Sequence, residues 1–575
     1  MRSRITQDLY TAHGEALHNA PDVVPWDEYP RPQLRRDSFV CLNGWWDFAV
    51  TDSDTPPCDY PERIRVPFSP ESLLSGVHRV PPEDARLYYR RDFALPTDFN
   101  RGRVLLHVGA ADQIATVWVN GVEVAAHEGG YMPFFADITD VLQAENTIVV
   151  CVVDYLEDHV LPYGKQCRKR GGMWYTPTSG LWQTVWLESV PQEYISAMRI
   201  DTSAAAARIE VSGVRDGSVC VNTPEGVRTY ALKDGVAEVV PDEPRLWSPD
   251  DPYLYTFTVM AGEDTVESYF ALRTIEAREV DGIPRLCLNG KPIFLHALLD
   301  QGYWSDGLFL PAEPQGFDED VKLASSLGFN TLRKHIKIEP EQFYCACDRM
   351  GMLVWQDMVN NGDYSFLRDT ALPTFGLKKL DDRRLHRDAA TRRAFEQAME
   401  QTVAHLHNHP CIVGWTIFNE GWGQFDSTRM YHRLREIDSS RVIDAASGWF
   451  VGGESDLVSE HVYFKPVRFK AASKPTFLSE FGGYVYKLKE HSFDPNNTYG
   501  YRFFTEQAAF ENALVRLYED EIVPIVSKGL CGAVYTQLAD IEDETNGLVT
   551  YDRRVIKVDA ARMKKIADAL YREIG

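Results

Sequence analysis

Beyond about residue 276 the chain repeats one pattern: a short apolar run of strand length, then a longer stretch with helical spacing. Eight such runs stand out, at 293–299, 330–333, 353–357, 412–420, 442–447, 457–463, 476–480 and 531–537. The segments 318–327 and 392–406 between them carry apolar residues at helical intervals. Near-continuous apolar strands alternating with helices belong to a parallel sheet covered on both faces, and eight such units predict a closed (β/α)₈ barrel. That prediction also says where to look for chemistry, because barrel enzymes act at the C-terminal ends of their strands.

Two of the runs end on a glutamate followed at once by glycine or Phe-Gly-Gly: Cys411-Ile-Val-Gly-Trp-Thr-Ile-Phe-Asn-Glu420-Gly-Trp-Gly and Pro475-Thr-Phe-Leu-Ser-Glu480-Phe-Gly-Gly. A single acid after an apolar strand also serves as a helix cap or core-edge residue. Two at one barrel mouth are what glycoside hydrolysis requires, one to protonate the departing oxygen and one to attack the anomeric carbon or activate water.

The N-terminal half reads differently. From 39 to 191 short runs alternate apolar and polar residues with period two, as in Val104-Leu-Leu-His-Val-Gly and Ala115-Thr-Val-Trp-Val-Asn-Gly121. Alternation punctuated by an Asn-Gly turn marks antiparallel strands, and this many in succession predicts a β-sandwich. A second, shorter set of strands follows, of a length that suits an immunoglobulin-like sandwich. The expected organisation is therefore 1–191, a jelly-roll domain; 192–276, an immunoglobulin-like domain; and 277–575, the catalytic TIM barrel.

Specific motifs carry a resemblance over nearly the whole length. Leu42-Asn-Gly-Trp-Trp46, Val117-Trp-Val-Asn-Gly121, His127-Glu-Gly-Gly-Tyr-Met-Pro-Phe134 and Ser179-Gly-Leu-Trp-Gln-Thr-Val-Trp-Leu187 resemble the jelly-roll, sugar-binding-like domain that opens family 2 glycoside hydrolases. Arg245-Leu-Trp-Ser-Pro-Asp-Asp-Pro-Tyr-Leu-Tyr255 and Phe270-Ala-Leu-Arg-Thr-Ile-Glu276 are similar to its second domain, and Asn408-His-Pro410, Trp415-Thr-Ile-Phe-Asn-Glu420 and Ser479-Glu480-Phe-Gly-Gly483 to its barrel. The resemblance implies a retaining exo-glycosidase with Glu420 as acid/base and Glu480 as nucleophile. Hydrogen-bond donors are then expected around Glu480, and Tyr463 and Arg333 are the candidates; Asn419 is placed to donate to the sugar 2-OH. Asp300, His335, Gln356, Asp357, His461 and Gln537, all at or beside strand ends, are candidate substrate-binding residues. Trp422 is a candidate sugar wall, as are Trp304 and Trp449.

Departures from the family's motifs bear on the substrate. β-Glucuronidases of the family hold the sugar carboxylate with an Asn-x-Lys motif, and the corresponding stretch here, Asp543-Glu-Thr-Asn-Gly-Leu-Val-Thr-Tyr-Asp552, has no lysine. Strand eight ends in Thr536-Gln537 where many relatives have Trp, and Arg333-Lys-His335-Ile-Lys337 departs from the usual Arg-x-x-His spacing. The expected substrate is accordingly a neutral glycoside, β-galactoside by default. A β-glucuronidase, or an arabinosidase or galactofuranosidase of the same family, is the alternative; if a uronide were the substrate, Arg333 or Lys337 would have to bind its carboxylate. A non-catalytic carbohydrate-binding protein is the alternative of another class.

No cofactor is expected. No HExxH or other close ligand pair supports catalytic zinc, although a peripheral Mg²⁺ or Na⁺ is compatible. With 84 acidic against 60 basic residues the net charge is −24, which repels nucleic acid and anionic membrane surfaces and leaves an oligosaccharide or glycoside as the expected partner. The start, Met1-Arg-Ser-Arg-Ile-Thr-Gln-Asp-Leu, has no apolar core of a secretion signal, and the ten cysteines form no framework. A cytoplasmic enzyme with reduced thiols is expected, and a homo-oligomer is compatible with the sequence.

Overall fold

The computed structural model describes residues 6–377, 381–450 and 453–574. The first sandwich packs a six-stranded antiparallel sheet, containing Gly44–Thr51, Arg86–Phe93 and Asn146–Val153, on a four-stranded sheet containing Arg103–Val108 and Val185–Val190. Period-two alternation does what the sequence requires. In Ile114–Val119 the residues Ala115, Val117 and Val119 enter the core while Ile114, Thr116 and Trp118 face outward. Asn120 and Gly121 both take left-handed conformations (φ 52° and 80°), the backbone of a tight hairpin turn, and join that strand to Val122–Glu128.

The second sandwich pairs a three-stranded with a four-stranded sheet, from Ala197–Thr202 to Asp264–Phe270. A hairpin, Ile275–Val280 and Ile283–Leu288, then leads into the barrel. An inter-domain ion network fixes the two sandwiches to each other. Arg36, from the N-terminal segment, reaches Glu188 of the first sandwich at 3.0 Å and Asp264 of the second at 2.8 Å.

Eight parallel strands form the C-terminal domain: Leu295–Asp300, Thr331–Lys334, Leu353–Asp357, Ile412–Asn419, Val442–Ser447, Val458–Val462, Thr476–Gly482 and Leu530–Thr536. They pair in barrel order, with the first strand between the second and the eighth. Strands five and six flank the seam, which is crossed by Asp456 N–H donating to Ile443 O at 3.0 Å and by a Ser447–His461 side-chain contact at 3.0 Å. The fourth, seventh and eighth strands are buried at every residue, the signature of strands enclosed by an inner core and an outer ring of helices. The helix Ala389–Leu406 is started by Asp388, whose carboxylate accepts from Thr391 N–H at 2.7 Å. All ten cysteines are free thiols. Among the described residues no helix is long and apolar enough to cross a membrane.

Candidate active site

Strand four delivers Asn419 as its last residue, and the chain then turns sharply. Glu420 takes φ +53° and Gly421 φ +77°. A left-handed glutamate needs outside support, and it has it: Glu420 N–H donates to Ser447 O at 3.0 Å, and Trp449 Nε1 donates to Glu420 O at 2.8 Å. Glu480 lies inside strand seven opposite His461 of strand six, where the pairing of strand seven with strand eight slips between Leu478 and Phe481.

These turns bring the acids together. One ligand atom each of Glu420, His461 and Glu480 lies within 4.8 Å of the others. His461 Nδ1 sits 2.8 Å from Glu420 Oε1 and 3.5 Å from Glu480 Oε2, while its Nε2 meets Ser447 Oγ at 3.0 Å. Ser447, Ser459 and Ser479 form a hydrogen-bonded triangle beneath the imidazole. These three groups are the one cluster among the described residues whose geometry could hold a metal. Glu420 is already held by His461 and Glu480 by Tyr463, and a guanidinium stands 3.2 Å from Glu480 Oε1, so a metal ion there would meet a positive charge.

Both donors expected at Glu480 are there. Tyr463 donates to its Oε2 at 2.5 Å and Arg333 Nη1 to its Oε1 at 3.2 Å. Burial nevertheless pushes the Glu480 carboxyl above its ordinary range; His461, Arg333 and Tyr463 oppose the rise and the Glu420 charge adds to it. Burial and the Glu480 charge hold the Tyr463 phenol well above its usual value, so it stays a donor. Arg333 is the hub of the floor: Nε binds Asp357 at 3.0 Å, Nη1 also binds Ser479 O at 2.9 Å, and Nη2 binds Asn419 Oδ1 at 2.9 Å. Holding Oδ1 in that way leaves Asn419 Nδ2 as the atom available to a ligand. His335 Nδ1 is held by Asp357 at 2.6 Å, and burial keeps the ring neutral.

Other strand-end residues have partners of their own. Asp300 binds Lys334 Nζ at 2.7 Å and Gly302 N–H at 2.9 Å. Gln356 accepts from Tyr344 and donates to two carbonyls, and Gln537 is tied to Gln301 and Asn546. Lys337 donates to Gly302 O, Phe309 O and Glu339. Trp304 packs against Phe317 and beneath Arg553. Trp422 stacks on Trp174 at 5.4 Å.

Trp174 introduces a contributor that the sequence pattern did not point to. The loop 154–179 of the first sandwich crosses onto the barrel mouth and brings Lys165 and Tyr175 with it. Tyr163 and Gly164 N–H donate to Asn360 O, and Thr176 N–H donates to Glu542 at 2.8 Å. Tyr175 hydrogen-bonds Glu544, whose other oxygen accepts from Asn546 at 3.0 Å. A loop joining two sandwich strands carries no sequence signal for a partner in another domain. Glu544 lies beyond the eighth strand in a stretch without helix or strand.

Residues 45–191 match the profile "Glycosyl hydrolases family 2, sugar binding domain", 199–273 match "Glycosyl hydrolases family 2" and 284–480 match "Glycosyl hydrolases family 2, TIM barrel domain". The chain belongs to glycosyl hydrolase family 2. Within the family it is 26% identical to the human β-glucuronidase over 492 residues, covering 73% of this chain and 70% of that one. It is also 26% identical to a β-galactosidase of Thermoanaerobacter pseudethanolicus, over 63% of this chain and only 48% of that enzyme's length. A β-D-glucuronidase structure from Dictyoglomus thermophilum shares the fold with a TM-score of 0.70 at 19% identity, covering 94% of this chain and 98% of that one.

Proposed function

We propose that this family 2 chain is a retaining exo-glycosidase that releases a terminal β-linked uronic acid. The observation that carries the retaining reading is the approach of Glu420 and Glu480 oxygens to within 4.8 Å. A separation near ~5–5.5 Å suits a nucleophile and an acid acting on one anomeric carbon, whereas inverting enzymes need ~6.5–9.5 Å to admit a water. In the first step a Glu480 oxygen bonds to C1 while the Glu420 proton passes to the glycosidic oxygen, and the C1–O bond breaks. In the second, Glu420 takes a proton from water, the water oxygen bonds to C1 and the Glu480 ester is released. Asn419 Nδ2 donates to the sugar 2-OH, and Arg333 steadies both Asn419 and Glu480.

The uronide is supported by the β-glucuronidase relative, which aligns over more of both chains than the β-galactosidase does. This replaces the default expectation of a neutral β-galactoside, which remains the second reading. It is favoured by the stretch after strand eight, where Asn546 rather than a lysine binds Glu544 and Gln537. Proton NMR of p-nitrophenyl β-D-glucuronide hydrolysis tests both parts at once. The β-anomer is expected first, with turnover faster than for the β-galactoside; an α-anomer first would exclude the retaining mechanism.

A further inference from the structure

The two cations that sequence position offers for a sugar carboxylate are both occupied. Arg333 is bonded through all three nitrogens within the floor, and Lys337 donates to two carbonyls and to Glu339. Other buried lysines are likewise matched, Lys334 by Asp300 and Glu339, Lys557 by Asp540.

Lys165 is the exception. It is 7% exposed, yet among the described residues no hydrogen bond or ion pair holds its ammonium. Nζ lies 5.5 Å from the Trp422 ring and 5.8 Å from the Tyr175 ring. Burial lowers its pKa while the charges of Glu544, Glu480 and Glu420 oppose the fall, which places the ammonium in the field of both catalytic acids. Glu544 itself is engaged by Tyr175 and Asn546.

Its position is imposed by the backbone. Gly164 takes φ +70°, and a Cβ there would stand 3.0 Å from Ile336 O. Lys165 O accepts from Tyr175 N–H at 3.0 Å, and the loop is bonded on one side to the segment after strand three and on the other to that after strand eight. A long, rotamer-rich side chain is thus rooted rigidly at the pocket with no carboxylate in direct contact with its ammonium among the described residues. Leaving a buried charge without a counter-ion is unfavourable, and a ligand that supplies the counter-charge gains what the free protein lacks.

We propose that Lys165, contributed by the sandwich domain, is the specificity-determining residue that binds the carboxylate of the sugar in the catalytic pocket. The proposal rests on the uronide reading above and supplies the cation that the missing Asn-x-Lys lysine left unassigned. A neutral sugar offers the ammonium no counter-charge and leaves it as it is in the free protein, so selectivity arises from attraction to the carboxylate.

The test compares p-nitrophenyl β-D-glucuronide, its methyl ester and p-nitrophenyl β-D-galactoside on the full chain and on Lys165→Gln. The wild type should prefer the free acid to its ester by about 100-fold or more in kcat/KM. Lys165→Gln should collapse that ratio to within about tenfold by slowing the acid, with the ester and galactoside little changed. The ester comparison on the wild type decides whether the carboxylate is read at all, and Lys165→Met, which keeps the buried methylene stem without the charge, is the second variant that assigns the reading to Lys165 if the glutamine variant does not fold. If the wild type favours the acid and Lys165→Gln keeps that preference, or slows acid, ester and galactoside equally, Lys165 does not read the carboxylate although the uronide reading stands. If the wild type cleaves only the galactoside, the uronide reading fails and this inference with it.

Discussion

Tyr463 donates its hydroxyl to Glu480 Oε2 at 2.5 Å and lies stacked on Tyr501, with ring centroids 3.8 Å apart, so the donor is held on a fixed ring. Its value to the enzyme is electrostatic: it favours the ionised form of a carboxyl that burial drives upward. Tyr463→Phe removes that donor and leaves the ring. A hydrogen bond to a charged group is worth about 1.5–3 kcal/mol, so kcat/KM should fall about 10- to 100-fold. Losing a donor to the ionised form raises the Glu480 pKa further, so the acidic limb of the pH profile should move to higher pH. An unchanged limb would mean that this limb does not report Glu480.

Glu188 ties the first sandwich to the N-terminal segment. It is fully buried and accepts from Arg36 at 3.0 Å, Arg31 at 2.7 Å and Tyr29 at 2.5 Å, with His107 at 3.2 Å. Burial alone would raise its pKa, but Arg31, His107 and Arg36 outweigh it and hold the carboxyl well below the usual range. A carboxyl depressed in the folded state contributes stability above its unfolded pKa and loses it as pH falls below about 4.5. Glu188→Gln should destabilise the chain by about 3 kcal/mol at pH 7, because it leaves the half-buried Arg31 without a carboxylate and Arg36 with Asp264 alone. Melting curves from pH 7 to 3.5 should show the wild type losing more than the variant.

Asp444 gives the opposite sign. It is buried on strand five with Oδ2 unpartnered, and burial drives its carboxyl up to about 7 against the pull of Ser459 and Arg333. Its folded state binds a proton more tightly than its unfolded state, so stability falls as pH rises from about 4 to about 7 and is level above that. Asp444→Asn removes the titration. The melting temperature of the variant relative to wild type should climb between pH 5 and 8, by at most the ~4 kcal/mol equivalent of moving a carboxyl from 3.8 to about 7. A constant difference across that range would show that Asp444 does not titrate there.

Patterns that repeat along the backbone were legible in the sequence. Period-two alternation with Asn120-Gly121 specified a hairpin, and apolar runs ending at Asn419-Glu420 and around Glu480 marked barrel strands before any partner was known. What a strand-end side chain does was harder to read, because that depends on neighbours from other strands. Asp300, Gln356 and Gln537 occupy the same kind of position as Asn419, yet Lys334, Tyr344 and Gln301 saturate them. Lys165 was illegible for a further reason: its loop belongs to one domain by connectivity and to the other by packing, and no periodicity records that docking.

The division of labour between Glu420 and Glu480 predicts opposite stereochemistry in two variants. Glu420→Ala lacks the proton donor, so substrates whose leaving group departs unaided should still be attacked by Glu480 and should accumulate the glycosyl ester. Azide, which needs no deprotonation, then enters from the face that water would have used, and the product is a β-azide from a β-glycoside. Glu480→Ala lacks the nucleophile and opens its face of the sugar, so azide enters there and the product is inverted. The same variant should no longer be labelled by a 2-deoxy-2-fluoro glycoside, which in the wild type should attach to Glu480. His461 Nδ1, within 3.5 Å of both acids, remains in either variant, so a difference in outcome reports the missing carboxylate alone. Exchanged stereochemistry in the two variants would exchange the roles.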